Sequence, residues 1–263
     1  MKKIYLTIDD SPSLYTDEMI DFLEENHIPA ILFVRGAFLS DSPKSIVRAI
    51  QKGFIIGNHL YHHKRSSELS FEEITEEILR TEMMIDAAYI IAEKERPLKL
   101  LRFPHMDRGC GAEVVEYHKY PEHKETLESI FLDGLNVAYF EPSADMRATK
   151  EKLQIFLDKE GFGQPFTEVT HSFFTQTEMA SARDCMFTYS TADWMLTPRH
   201  KGNWPYKKID DLIRKIETTP YLHDKHSADI LCMHDDRENI LPVMKDILTH
   251  LKTQDVKFID PRD

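Results

Sequence analysis

The chain has 263 residues, 41% of them hydrophobic, enough for a substantial buried core and too apolar for a disordered chain. Its 33 basic and 45 acidic residues give a formal net charge of −12. That balance argues against binding to a nucleic-acid backbone and gives no support to adsorption on an anionic membrane.

Cys110, Cys185 and Cys232 lack metal-type spacing and read as reduced thiols. No apolar run reaches transmembrane length, and MKKIYLTIDD is not followed by the apolar segment and cleavage site of a signal peptide. If Met1 is the native start, the expectation is a cytoplasmic protein.

In chain order, KIYLTI (3–8) is rich in β-formers and reads as a strand. A helix over about 16–26 carries Met19, Ile20 and Leu23 on its apolar face, and AILFV (30–34) suits a strand buried on both faces. Ser42 and Pro43 read as an N-cap and first helical residue, with Ile46, Val47 and Ile50 facing inward and Gly53 as the stop. FII (54–56) is the next strand. Ser70 and Glu73 form a capping box ahead of a long helix whose stripe is Ile74, Ile78, Thr81, Ile85 and Ala88. KLL (99–101) reads as a short strand. Strands alternating with helices predict a parallel sheet or barrel of βα units.

From about 105 to 188 the pattern blurs. NVAYF (136–140) reads as a strand, and Thr149 as the cap of a helix through Leu157 that ends at Gly161. The polar stretch 117–128 reads as a surface excursion. Helices near 207–217 and 239–252 and strands at 229–233 and 256–260 restore the regularity. With no internal repeat and no Gly/Ser linker, the expectation is one domain, 1–263, with a large insertion at about 105–188.

Reactive side chains collect just past the apolar runs: Asp9 and Asp10, then His59 and His63, Arg102, Asp193 with Trp194, and His234. Singly, each has an ordinary reading as a turn, a cap, a surface charge or a packed histidine. Together they match the C-terminal strand ends where βα barrels place their active sites.

In this order the segments resemble the five motifs of the NodB-homology polysaccharide deacetylases, carbohydrate esterase family 4. TIDDS resembles Thr-Phe-Asp-Asp-Gly, HLYHH (59–63) resembles His-Ser/Thr-x-x-His, RFP (102–104) resembles the start of Arg-x-Pro-Tyr-Gly, ADW (192–194) resembles the Asp-Trp motif, and LCMH (231–234) resembles Leu-x-x-His. The resemblance covers roughly 3–104 and 187–263. It implies a distorted (β/α) barrel, with the 105–188 insertion between the third and fourth motifs. It also implies a metal-dependent hydrolase that removes acetyl groups from an N-acetylated sugar or oligosaccharide.

One carboxylate and two imidazoles leave open positions on an ion, and Asp10, His59 and His63 would supply them. Zinc is the expected ion, and cobalt, nickel and manganese also suit the set. His59 and His63 face one ion if their loop is helical. Neighbouring side chains on an extended strand point apart, which leaves Asp9 as general base. By resemblance, Arg102 holds that base, Asp193 orients the general acid His234, and Trp194 walls the sugar pocket. Pro104, His105 and Leu231 fall in the same motifs as substrate-contacting positions.

Ser11, Leu60 and His105-Met106 depart from the pattern. Leu60 removes a hydroxyl that braces the histidine loop, and His105-Met106 stands where the family has Tyr-Gly. The insertion is expected to form a lid or specificity wall. The rival readings are another C–N hydrolase, such as a deformylase of a lipid-linked amino sugar, and a carbohydrate-binding homologue without turnover.

Overall fold

The computed structural model describes residues 1–133, 135, 141–236, 238 and 240–262. The first half alternates strand and helix: β1 (Lys2–Ser11), α1 (Thr16–Glu25), β2 (Ala30–Val34), α2 (Gly36–Asp41), α3 (Pro43–Gln51), β3 (Ile55–Asn58) and α4 (Phe71–Ile91). The middle carries α5 (Lys124–Leu132), α6 (Ala144–Lys159) and two single-turn helices, α7 (Ser172–Thr175) and α8 (Glu178–Ser181). Alternation resumes with β4 (Tyr189–Ser190), α9 (Ile209–Thr218), β5 (Asp229–His234), α10 (Ile240–Thr253) and β6 (Val256–Phe258).

All pairings are parallel, in the order β3-β2-β1-β5-β4, with β6 on the first residues of β1. The predicted strand at 99–101 is reduced to one bridge, Asn58 to Leu101. That segment still continues the wall, because Asn58 N donates to Leu100 O (2.8 Å) and Arg102 N to Asn58 O (2.9 Å). Cys185 N then donates to Leu101 O (2.6 Å), and Thr188 N to Ile230 O on β5 (3.1 Å). The wall thus returns to its own edge as an irregular barrel.

Period-two alternation sorts the side chains. Ile4, Leu6 and Ile8 of β1 pack outward among residues of α1, α3, α4, α9 and α10. Tyr5 of β1, Ile31 and Phe33 of β2 and Ile230 and Cys232 of β5 face the other way. There they meet Val114, Leu127, Phe131, Phe166, Phe173, Phe174 and Met186. Much of the insertion is therefore core. Phe173 and Phe174 are buried in it, while Tyr139, Phe140 and the strand expected at 136–140 lie outside the described residues.

Several local expectations change. The capping box forms, with Glu73 N donating to Ser70 Oγ (3.2 Å) and Ser70 N to Glu73 Oε2 (2.8 Å). Ser42 precedes α3 without a side-chain cap bond. α6 starts ahead of Thr149, because Ser143 Oγ accepts from Met146 N (3.2 Å) and caps it first. Half of the polar stretch 117–128 is exposed, but Tyr117 and Leu127 anchor it in the core.

Buried charges hold the insertion together. Arg108 reaches Asp184 (Nη2–Oδ1 3.0 Å) and Glu178 (Nη1–Oε2 3.1 Å), Lys150 reaches Glu178 (2.6 Å), and Arg147 reaches Glu113 (2.6 Å). Cys110, Cys185 and Cys232 are buried and form no disulfide. Among the described residues no helix is long and apolar enough to cross a membrane.

Candidate active site

Alternation along β1 turns Thr7 and Asp9 inward and would send Asp10 out among the helices. A β-bulge changes this. Asp9 pairs with Phe33 and Ser11 with Val34, so Asp10 is the extra residue, and it adopts φ = 69°. A bulge re-aims the side chain it carries. Both carboxylates consequently face one cavity of about 340 Å³. The expectation that they diverge is corrected; their different surroundings, not opposite directions, distinguish them.

The histidine loop follows β3 and is not helical. Leu60 and His63 have φ of 57° and 61°, and the chain turns through these left-handed residues rather than through a helical turn. Asn58 Oδ1 accepts from Leu60 N (2.8 Å), while Asn58 Nδ2 donates to Ile78 O and Glu82 Oε1 (both 2.9 Å). Glu77 of α4 accepts from Tyr61 N (3.0 Å) and His62 N (2.6 Å). These two acceptors brace the loop where Leu60 has no hydroxyl. Asn58 belongs to the Gly-Asn pair that leads into the histidine segment in the family resemblance, whereas Glu77 was not singled out from the sequence, although it is an acid beside the apolar stripe of α4.

His59 Nδ1 donates to Arg102 O (2.8 Å), since a carbonyl only accepts, and this tautomer leaves Nε2 unprotonated and able to coordinate an ion. Asp10 Oδ1 lies 3.6 Å from His59 Nε2 and 3.0 Å from His63 Nε2. Two donors about 2.1 Å from one ion are separated by roughly 3–3.4 Å; the His63 pair falls in that range and the His59 pair just beyond it, so a small adjustment of one side chain lets the set hold a divalent cation. Burial lowers the His59 pKa to about 4, which keeps it in the neutral form that coordinates a metal. Burial opposes the charge on Asp10, but His63 and His59 outweigh it and hold this carboxyl well below its ordinary value.

Asp9 is surrounded differently. Arg102, fully buried, sends Nη1 to Asp9 Oδ1 (2.8 Å) and Thr7 Oγ1 (2.7 Å) and Nε to Cys185 O (2.9 Å). Burial raises the Asp9 pKa, but Arg102, His59 and His234 outweigh it and keep the carboxyl ionised. Across the cavity Asp193 holds His234 twice, accepting from the backbone N on Oδ2 and from ring Nδ1 on Oδ1, each at 2.8 Å.

Trp194 lines the cavity and packs edge-on against Trp204, with ring centroids 5.1 Å apart. His105 also lines it, with its ring centroid 4.5 Å from that of His63. Pro104 and Leu231 do not. Pro104 is buried in the turn before His105, and alternation along β5 sends Leu231 to the helical layer while Cys232 and His234 face the cavity. Arg65, Asp133, His200, Trp204 and Lys215 line the cavity without having been picked from the sequence. They come from loops and from α9, outside every recognisable motif.

The family model described as "Polysaccharide deacetylase" matches residues 1–116. A chitooligosaccharide deacetylase of Sinorhizobium fredii is 34% identical over 86 residues, covering 32% of this chain and 40% of that protein. Peptidoglycan-N-acetylmuramic acid deacetylase PdaA of Bacillus subtilis is 34% identical over 115 residues, covering 43% and 41%. The match spans about two-fifths of the length of these relatives. A family 4 carbohydrate esterase from Streptomyces lividans, solved with acetate, superposes with a TM-score of 0.57 at 18% identity, covering 99% of this chain and 94% of that one.

Proposed function

Because the chain belongs to the NodB-homology proteins of carbohydrate esterase family 4, we propose that it is a metal-dependent hydrolase that removes acetyl from the nitrogen of an N-acetylated sugar or oligosaccharide. One observation carries this reading: Asp10, His59 and His63 converge in the same cavity as an arginine-held Asp9 and an aspartate-held His234.

In this reading Asp10 Oδ1, His59 Nε2 and His63 Nε2 hold the ion. When bound, a divalent ion supplies Lewis acidity, polarising a carbonyl and lowering the pKa of a water. The remaining work falls to the chain. Arg102 occupies Asp9 Oδ1, so Oδ2 is the oxygen that takes the proton from the attacking water. Water oxygen adds to the acyl carbon, the C–N bond breaks, and the leaving amine takes a proton from His234 Nε2. Asp193, on Nδ1, keeps that imidazole oriented with Nε2 toward the cavity. Trp194 and Trp204 offer aromatic faces against which a sugar ring packs.

The test loads the protein with one divalent ion and incubates it with N-acetylated glucosamine and muramic-acid oligosaccharides. Released acetate and formate are both measured, before and after chelation. Acetate release that stops on chelation and returns with metal is expected. Full activity in metal-free protein overturns the mechanism, and formate without acetate overturns the acetyl specificity.

A further inference from the structure

We infer that the cavity holds a second, sulfur-containing metal site, Asp9–Cys232–His234, which takes a soft divalent cation such as Cd²⁺ or excess Zn²⁺. The ligand atoms of these three residues lie within 4.8 Å of one another, and none of them belongs to the Asp10–His59–His63 set. Cys232 Sγ is 3.4 Å from Asp9 Oδ2, the oxygen not taken by Arg102. Asp193 holds Nδ1 of His234, so a cation meets this imidazole through Nε2.

The three donors come from adjacent strands. β1 and β5 are in register with Asp9 beside His234 and Thr7 beside Cys232, and alternation turns Cys232 and His234 to the same side. The placement is thus part of the barrel wall rather than of a loose loop.

The donor chemistry sets the preference. Thiolate, imidazole and carboxylate together favour Zn²⁺ and Cd²⁺ over Mg²⁺ or Ca²⁺, which take oxygen donors. Binding releases the thiol proton to solvent and forms an S–metal bond, with no change of oxidation state. The Asp9 carboxylate and the new thiolate place two negative charges on the ion, while Arg102 stays paired to Asp9 Oδ1.

The site stands on donor geometry alone, but its consequence for activity rests on the proposed function. An ion here ties up Asp9 Oδ2 and His234 Nε2 together, removing base and acid in one event. Thiophilic cations then inhibit at the second equivalent while the first stays in place.

The experiment titrates Cd²⁺ into protein carrying one Zn²⁺. Both metals are counted after desalting, and the sulfur-to-cadmium charge-transfer band is recorded. The Asp10 set contains no sulfur, so the band does not report on it. Wild type is expected to hold one Cd²⁺ beside its Zn²⁺ and to show the band. Cys232→Ser and Cys232→Ala, each checked for cooperative melting, lose both, whereas Cys110→Ser and Cys185→Ser keep them. No band in wild type, or a band that survives in both Cys232 variants, overturns the site. Acetate release is followed in parallel: wild type loses it as the band grows, and Cys232→Ser keeps its own starting rate. A band without loss of activity leaves the site standing and sinks the roles proposed for Asp9 and His234.

Discussion

Two buried arginine–aspartate pairs stand in the two halves of this molecule. Arg102 meets Asp9 at the strand ends, and Arg108 meets Asp184 inside the insertion. All four side chains are nearly or fully buried, and both pairs join residues far apart in sequence. They differ in what the carboxylate faces. Asp9 lines the cavity, with His59 Nε2 at 4.0 Å and Cys232 at 3.4 Å. Asp184 Oδ1 is enclosed by Arg108 and by Gln154 Nε2 (2.8 Å). Burying a charge costs stability unless it is paired. Where the paired carboxylate opens on a cavity, the pairing holds a charged group within reach of a ligand, as the proposed general base requires; where it is enclosed, the pairing fixes a fold.

The sharpest way to break this comparison is to disable each aspartate in turn. Asp9→Asn is expected to lower kcat by about 10²–10⁴-fold, the range for a lost general base, while one ion per chain stays bound by elemental analysis. Loss of the ion instead would exchange the roles of Asp9 and Asp10. Asp184→Ala leaves Arg108 without its Asp184 partner in the interior and is expected to cost about 3–5 kcal/mol in denaturant unfolding. Below its lowered melting temperature the variant keeps its metal. If Asp184→Ala instead left stability intact and removed activity, the insertion would belong to the chemistry.

A smaller effect separates the two kinds of buried acid by pH. Asp235 follows His234 and accepts from the hydroxyls of Ser11 (2.9 Å), Ser13 (3.0 Å) and Thr16 (2.5 Å). Burial raises its pKa from 3.8 to about 6 against those hydrogen bonds. The folded state therefore binds a proton that the unfolded chain has released between these values. Its contribution is fully present below about pH 3.8 and is lost as pH rises through about 6, on the order of 2–3 kcal/mol. Asp235→Asn has no such proton, so its stability relative to wild type should climb over that window. A constant difference from pH 4 to 7 in paired denaturant titrations would refute the assignment.

The strand ends were legible because alternating strands and helices leave a period, and because each strand ends in a residue type that is costly to bury without a partner. Asp9, Asp10, His59, His63, Arg102 and His234 came from that signal and Asp193 with Trp194 from the motif resemblance, and all are brought around the cavity. The bulge was not legible, since one extra residue in a strand leaves no mark on a pattern of apolar residues. Leu231 was misplaced for a related reason: a motif position does not say which face of the strand it occupies. The insertion was opaque because α7 and α8 are single turns, too short for a helical stripe. Its charge partners, Arg108 with Asp184 and Arg147 with Glu113, are also too far apart in sequence to show a spacing.

Glu77 supplies the finest test, because it sits on α4, in the legible half, yet acts where the family pattern fails. It has no contact with the proposed metal donors. It accepts from Tyr61 N and His62 N and also pairs with His62 Nδ1 (2.5 Å), fixing the turn between His59 and His63. Supports of this kind orient ligands, and their loss typically weakens metal affinity about 10–100-fold. Glu77→Ala is expected at the lower end, roughly tenfold, because Asn58 and the bond from His59 Nδ1 to Arg102 O still hold the first histidine. Glu77→Gln keeps one acceptor oxygen for the two N–H groups and should recover most of the loss. Competition against a chromophoric chelator reads both variants. If Glu77→Ala binds metal as tightly as wild type, the loop is held by its own left-handed residues, and Leu60 cost the site nothing that α4 had to replace.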